Sequence, residues 1–420
     1  MTRTLTKSSR LALVLFVLAG CARTASAQSL DDGVGLEVVY TADLAANVAG
    51  GVDQGVRYLD NIDLALTLET DPLVGWPGAT IFLYGLGNQG GSISEIAGDA
   101  QGVSNIEAPT SWRLYEAWIE QVLPGDRVSI LAGLYDVNTE FDVIWTGSLF
   151  MNSSHGIGPD FSQSGMNGPS IFPVTSLAIR ARGSISNRLI FKAAILDGVP
   201  GDPEKPTGTH IKFGDDDGIL MAGEVVLLLG GDDEWKTEPS RFRLVSRTDV
   251  EFFDARFAIG AWKYTGKFVE LRDPRILALT APSTDNRGVY ALAEWNVLRE
   301  PGDAAQGLSA FGRYGIANDR INRFASYAGL GLVYTGLLPG RDHDQAGLAV
   351  ASARNGDPYL ESQVVFGELD RTETVIEATY LASVTSWLSV QADLQHVINP
   401  GTNPAVSNAL VPAVRLQIIP

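Results

Sequence analysis

The chain of 420 residues carries 49 Asp and Glu against 31 Lys and Arg, a formal net charge of −18, which argues against nucleic acid or any other polyanion as a partner. Its one cysteine, Cys21, leaves no internal disulfide to form. Beyond the N-terminal segment no run approaches the roughly 20 apolar residues that a spanning helix needs, so membrane integration would have to use strands.

The N-terminus is positive only, with Arg3, Lys7 and Arg10 ahead of an apolar run from Leu11 to Ala19 and small residues ending Ala25-Ser26-Ala27. This is the layout of a secretory signal over residues 1–27, too short to cross a bilayer. Cleavage before Gln28 fits ordinary processing; Leu18-Ala19-Gly20-Cys21 also reads as a lipobox that would leave Cys21 lipidated. The segment holds four basic residues and no acid, so its removal takes the formal charge from −18 to −22.

Residues 28–420 read as one domain in which apolar and polar residues alternate one for one. Leu36, Val38, Tyr40, Ala42 and Leu44 interleave with Glu37, Thr41 and Asp43; Ile62, Leu64, Leu66 and Leu68 interleave with Asn61, Asp63, Thr67 and Glu69. A period of two gives strands with one apolar and one polar face. In chain order the pattern predicts strands at 36–48, 56–69, 79–87, 109–122, 127–137, 173–183, 188–197, 218–229, 250–264, 288–299, 307–317, 325–336, 345–353, 373–384, 387–398 and 409–419. Alternate links are tight, as at Pro124-Gly125-Asp126, Ser184-Ile185-Ser186-Asn187, Pro301-Gly302-Asp303 and Thr385-Ser386, whereas the others include long ones at 88–108, 138–172, 198–217, 265–287 and 354–372. About sixteen strands behind a secretion signal, with short turns at one end and long loops at the other, predict an all-β, closed antiparallel transmembrane barrel of the outer membrane. A secreted β-sandwich or propeller would also alternate. No propeller-length repeat is visible, and closure removes the edges that lipid would not tolerate.

Phase then assigns faces. Tyr115, Ala117 and Ile119 should face lipid, turning Glu116, Trp118 and Glu120 inward; Leu177, Ile179 and Ala181 should face out, turning Arg180 and Arg182 in. The same argument points Lys192, Glu224, Arg256, Glu294, Arg313, Glu377, Asp393, Gln395 and Arg415 at the lumen. A bore lined by both signs plus an inward indole suits sugars, whose hydroxyls accept from guanidinium and donate to carboxylate while their C–H faces pack on the ring. Generic polar lining of a wide barrel is the plainer account of any single charge. The longest loop, 138–172, is rich in Gly, Ser, Asn and Pro and is expected to fold inward and narrow the barrel, with an external cap as the alternative.

Six segments resemble the carbohydrate-selective porins of the OprB family: LYEAWIEQ at Leu114 to Gln121, LAGLYDVNTEF at Leu131 to Phe141, SLFMNSS at Ser148 to Ser154, IFKAAILDGVPGDP at Ile190 to Pro203, FGRYG at Phe311 to Gly315, and QHVINPGT at Gln395 to Thr402. They run in order through most of the chain. The resemblance implies a sixteen-stranded barrel through which glucose and other sugars diffuse inward, narrowed by in-folded loops, with arginine, acidic and aromatic groups meeting the sugar. Glu116 and Trp118 lie in the matching Glu-Ala-Trp segment, and Arg180 and Arg182 in the strand after the long loop. One departure is the C-terminus, where Pro420 stands at the outward position usually held by an aromatic residue that the assembly machinery reads.

Other chemistry is weaker. Gly85-Leu86-Gly87-Asn88-Gln89-Gly90 matches a dinucleotide fingerprint but opens no helix. The histidines, His155, His210, His343 and His396, lack zinc spacing. His155 beside Ser153 and Ser154 is the place to look for a hydrolase, and Asp215-Asp216-Asp217, Asp232-Asp233-Glu234 and Asp342-His343-Asp344 could bind calcium or be solvated turn acids. Trp76, Trp235 and Trp387 fit an interfacial girdle. The expectation is a passive sugar channel without chemical step, cofactor or metal. Its partners would be small sugars, membrane lipid and lipopolysaccharide, and the barrel-assembly machinery, as a monomer or homotrimer; a general porin, an outer-membrane hydrolase and a lipidated surface β protein are the alternatives.

Overall fold

A computed structural model describes residues 33–230, 253–275, 282–365 and 367–420. The segment read as a signal (with Cys21), the Asp232-Asp233-Glu234 cluster and Trp235 lie outside the described residues. Sixteen antiparallel strands follow one another around a closed barrel. They are β1 (Val34–Asn47), β2 (Gly55–Glu69), β3 (Ala79–Gly90), β4 (Ser111–Val122), β5 (Val128–Tyr135), β6 (Ser176–Ser186), β7 (Leu189–Asp197) and β8 (Ile219–Leu229). The second half comprises β9 (Ala255–Val269), β10 (Ser283–Glu300), β11 (Asp303–Ala317), β12 (Phe324–Thr335), β13 (Gln345–Asn355), β14 (Thr372–Ser383), β15 (Leu388–Ile398) and β16 (Ser407–Ile418). Pairing of β1 with β16, from Tyr40 opposite Ile418 to Ala45 opposite Ala413, closes the wall into a ring. A short segment, Ala49–Gly51, continues the seam beside β16.

Each predicted strand has its counterpart. The largest shifts are at β9, expected at 250–264 and found at Ala255–Val269, and at β10, which begins five residues early at Ser283. The later end of β9 and the earlier start of β10 shorten the loop expected at 265–287. The outward rows are apolar, with Leu36, Leu64, Ile179, Ile259, Leu330 and Leu348 exposed. Trp76, Trp295 and Trp387 are exposed toward the short-turn end, and Tyr58, Trp112 and Tyr314 toward the long-loop end, so aromatic rings flank the apolar band on both sides.

One facing differs from expectation. Tyr115 points inward and is 3% exposed, because Tyr84 of β3 opposes Glu116 while the next residue, Gly85, opposes Leu114. Tyr115 is the extra residue of a β-bulge, which puts Tyr115 and Glu116 on the same side and reverses the phase beyond it, so Trp112 and Leu114 face out. β4 also outruns β5 at the long-loop end. Its free edge there is covered by the loop between β7 and β8 (residues 198–218): Thr209 Oγ1 accepts from Leu114 N (2.7 Å) and donates to Leu114 O (3.0 Å), and Arg113 donates to Pro206 O (2.9 Å).

The interior is not uniformly polar. The loop between β5 and β6, residues 136–175 and called L3 below, places Val137, Phe141, Ile144, Leu149, Phe150, Ile157 and Phe161 against inward Ile190, Leu196, Leu220, Val226, Leu228, Trp262 and Phe311, forming a buried apolar core inside the barrel. Phe161 stacks on Trp262 at 5.1 Å between ring centroids and 8° between planes. Full burial of one such side chain is worth about 1.5–3 kcal/mol, so this core is a principal reason for the loop to lie inside. Small inward residues make the room: a Cβ at Gly260 would come within 2.1 Å of the Tyr290 ring, and one at Gly331 within 2.3 Å of Phe311.

Candidate functional site

The inward charges read from phase all lie on the inner wall, and most of them bind the loops. Arg180, fully buried, pairs with Glu120 (2.8 Å) on β4 and Glu140 (2.6 Å) on L3 and donates to Ser129 Oγ (2.8 Å). Lys192 pairs with Glu224 at 3.0 Å, and the same carboxylate accepts from Asp142 N (2.9 Å) and Tyr290 Oη (2.7 Å). Arg256 pairs with Glu294 (2.8 Å), donates to Val143 O (2.8 Å) and lies 4.5 Å over the Trp145 ring; Glu294 in turn accepts from Thr146 N (2.7 Å). Further round, Gln391 donates to Leu149 O (2.7 Å), Glu377 accepts from Met151 N (2.5 Å) and Asn152 N (3.1 Å), and Gln395 accepts from Asn152 Nδ2 (3.1 Å). Successive wall side chains thus bind successive L3 residues.

Arg313 joins two parts of the loop. Its Nε and Nη2 donate to the two Asp142 oxygens at 2.8 and 2.6 Å, while Nη1 and Nη2 donate to Asp160 at 2.6 and 3.2 Å. All three side chains are fully buried, a geometry in which two forked hydrogen-bonded pairs compensate for removing three charges from water. Gly158 and Gly315 are required beside it, since a Cβ would meet Arg313 Nη1 at 2.2 Å and Asp160 Oδ2 at 2.1 Å respectively.

Glu116 and Trp118 form a different group. Trp118 Nε1 donates to Glu116 Oε2 (3.0 Å), and its ring stacks on Phe82 at 5.0 Å; Glu116 also accepts from Asp136 N at 3.2 Å. Next to them Tyr84 Oη donates to Asp63 (2.7 Å), which also accepts from Asn61 Nδ2 (3.1 Å). Arg182 is half-buried, inward and in register with Lys192.

Phase did not single out the loop acids Glu140, Asp142 and Asp160, whose partners lie up to 171 residues away in sequence. Nor did it find the role of the loop between β3 and β4, residues 91–110, called L2. Glu373 accepts from Ala100 N (2.9 Å) and Gly401 N (2.6 Å), Asp43 accepts from Ser104 Oγ (2.7 Å) and pairs with Arg415 (2.7 Å), and Arg415 reaches Asn105 Oδ1 (2.8 Å). The two loops are joined by Ser153 N to Gly102 O and Asn105 N to Met151 O, both 2.8 Å.

His155 is fully buried between Phe150 and Phe311, at centroid distances of 5.0 and 5.8 Å, with Glu377 Oε2 3.8 Å away. Burial pushes its pKa down to about 3. Ser154 Oγ donates to Gln101 O (3.3 Å) rather than to the imidazole, so the Ser-His pair considered from sequence is not assembled. Asp344 accepts from Arg341 (2.7 Å), Tyr380 (2.6 Å) and Ser383 N (2.9 Å), which closes a turn, and among the described residues no three His, Cys, Asp or Glu side chains are arranged to hold a metal.

A family model described as carbohydrate-selective porin, OprB family, matches residues 53–419. The chain belongs to the OprB family of carbohydrate-selective porins. It is similar to Porin B of Pseudomonas aeruginosa, 23% identical over 437 residues that cover 93% of this chain and 88% of that protein. Among solved structures, OprB of Pseudomonas putida at high pH superposes with a TM-score of 0.78 at 21% identity, covering 93% of this chain and 95% of that one. The low-pH structure gives 0.58 at 21% identity, with 96% of both chains covered. The outer membrane channel DcaP of Acinetobacter baumannii gives 0.53 at 8%, covering 94% and 100%. As an OprB-family barrel the chain is an integral outer-membrane protein, its short turns periplasmic and its long loops extracellular.

Proposed function

We propose that this OprB-family protein is a passive channel through which neutral mono- and small oligosaccharides such as glucose diffuse into the periplasm. Family membership across residues 53–419 carries the reading, and the inner wall supports it. L3 is held on β6–β15 and L2 on β1 and β14–β16, so the path for a solute is bounded by these two loops and by the strand faces they leave uncovered. On β6 the half-buried guanidinium of Arg182 points inward, where it can meet a sugar hydroxyl, whereas Asp63, Glu116 and Trp118 are buried against Tyr84, the Asp136 N–H and Phe82 and shape the bore from behind. Arg180, Arg256, Glu294 and Arg313 act one step away, fixing the loops whose inner surface sets the bore. Glu120 belongs with them through Arg180.

Sugar-dependent block of single-channel current tests this. The mature chain in a planar bilayer, titrated with glucose, maltose and a non-sugar osmolyte of similar size, should show stable current that falls saturably with sugar alone. Current indifferent to sugar would mark a general porin, and no current from a folded barrel would reject the open channel.

A further inference from the structure

At the extracellular rim, apart from the path just described, a cavity of about 260 Å³ lies between the end of L3, the loop 198–218 and Pro109. Five prolines, Pro109, Pro169, Pro173, Pro203 and Pro206, give it stiff apolar walls, and the half-buried ring of Phe172 forms part of them. Asp202 and Lys205 also line it, and with Asn167 and His210 they supply its polar groups.

The polar groups are held in place but not all spent. Asp202 Oδ1 accepts from Lys212 Nζ (3.0 Å) and Glu204 N (3.2 Å), and the Lys212 ammonium keeps this carboxyl below the usual carboxylate range. Its Oδ2 faces Lys205 Nζ at 3.8 Å, beyond hydrogen-bond length, and the Lys205 side chain is two-thirds exposed. A hydroxyl entering between them accepts from the ammonium and donates to the carboxylate, gaining two charge-assisted bonds at once. Asn167 is anchored through Nδ2 to Pro200 O (2.7 Å) and His210 through Nε2 to Thr207 O (2.9 Å).

We propose that this rim cavity is a capture subsite for a neutral hexose, which packs its C–H face on Phe172 and the prolines and bonds through its hydroxyls to Asp202 and Lys205 before entering the channel. The alternatives fit less well. A carboxylate or phosphate ligand would face Asp202, whose charge Lys212 already balances; an apolar ligand would leave the acid and ammonium of the lining unmatched. A subsite of this kind has to be weak, because a solute held tightly at the mouth would not pass on. It therefore raises uptake at low sugar and leaves the saturated rate alone.

The inference rests on the sugar-channel reading, and the test separates the two. Glucose flux into liposomes is measured for the full mature chain and for Phe172→Ala and Asp202→Asn. The expected result is a three- to tenfold higher half-saturation for each variant, with unchanged maximal flux and unchanged salt conductance. In parallel, Lys205→Cys, in a chain lacking Cys21, is labelled with a charged thiol reagent; glucose should slow labelling, and a non-sugar osmolyte should not. Unchanged half-saturation together with labelling indifferent to glucose overturns the subsite while leaving the channel standing. Absence of any saturable glucose response in the parent chain overturns the channel reading itself.

Discussion

The inner faces of β7–β9 and of β1–β3 belong to one barrel and are built differently. On β8 the inward row is Leu220, Ala222, Glu224, Val226 and Leu228, and on β7 it is Ile190, Lys192, Ala194 and Leu196. These strands are apolar on both faces, as strands covered on both sides are, and the apolar inner face is covered by L3. On β1 and β2 the inward rows carry Thr41, Asp43, Asn61, Asp63 and Thr67, and their bonds run to one another and to L2. One wall is the bed of a folded loop; the other is a polar wall in the ordinary sense of a porin lumen. Charges on the first bind L3, whereas those on the second bind neighbouring wall side chains and L2.

Substitutions can break this contrast, beginning where the effect is largest. Arg313→Ala leaves Asp142 and Asp160 buried without their cation, a loss of about 3–5 kcal/mol for a broken buried pair, enough to release L3. Single-channel conductance should rise and become noisy, and L3 should become open to protease; a quiet channel of parent conductance would show that the apolar core alone holds the loop. Phe161→Ala removes the ring stacked on Trp262 and should cost about 3–5 kcal/mol of docking less whatever the site recovers by collapse, giving the same phenotype more weakly. Gly315→Ala, which drives a Cβ toward Asp160, should cost about 1–3 kcal/mol and shift L3 without freeing it, seen as altered conductance at unchanged protease resistance.

A pH titration sharpens the same comparison. The His155 pKa in the docked loop is about 3, below the ordinary 6.5, so between those values the released loop binds a proton that the docked loop does not. The His155 contribution to docking is fully present above pH 6.5 and declines as pH falls through the window, while Asp142, which burial raises to about 7, contributes with the opposite sign. Between pH 6 and pH 4 current noise should grow more in the parent than in His155→Leu; an equal slope in the two would assign the dependence to other groups. The smallest effect belongs to β4, next to the second wall. Trp118→Ala removes the ring stacked on Phe82, a contact of about 0.5–1.5 kcal/mol, and the indole N–H that holds Glu116; it should weaken sugar block roughly threefold and leave L3 noise as in the parent.

Much of this was legible before any coordinates. A period of two is local, so sixteen strands, their order and nearly all their facings follow from the residues alone, and with them the inward position of Glu116, Trp118, Glu120, Arg180, Arg182, Arg256, Glu294 and Arg313. Tyr115 escaped because a bulge inserts one residue without leaving a mark in the hydropathy pattern. The run Ile219-Leu220-Met221-Ala222 and Val225-Val226-Leu227-Leu228-Leu229 did carry a sign, since a strand between lipid and water has no reason to be apolar on both faces. What no pattern contains is the partner of an inward charge. Arg313 and Asp142 are 171 residues apart, and only closure of the barrel and docking of L3 bring them to 2.6 Å. The sequence by itself determined which way nearly every strand side chain points, because that depends on its neighbours along the strand; which partner an inward charge meets was decided by tertiary structure, because it depends on what the chain folds back into its own lumen.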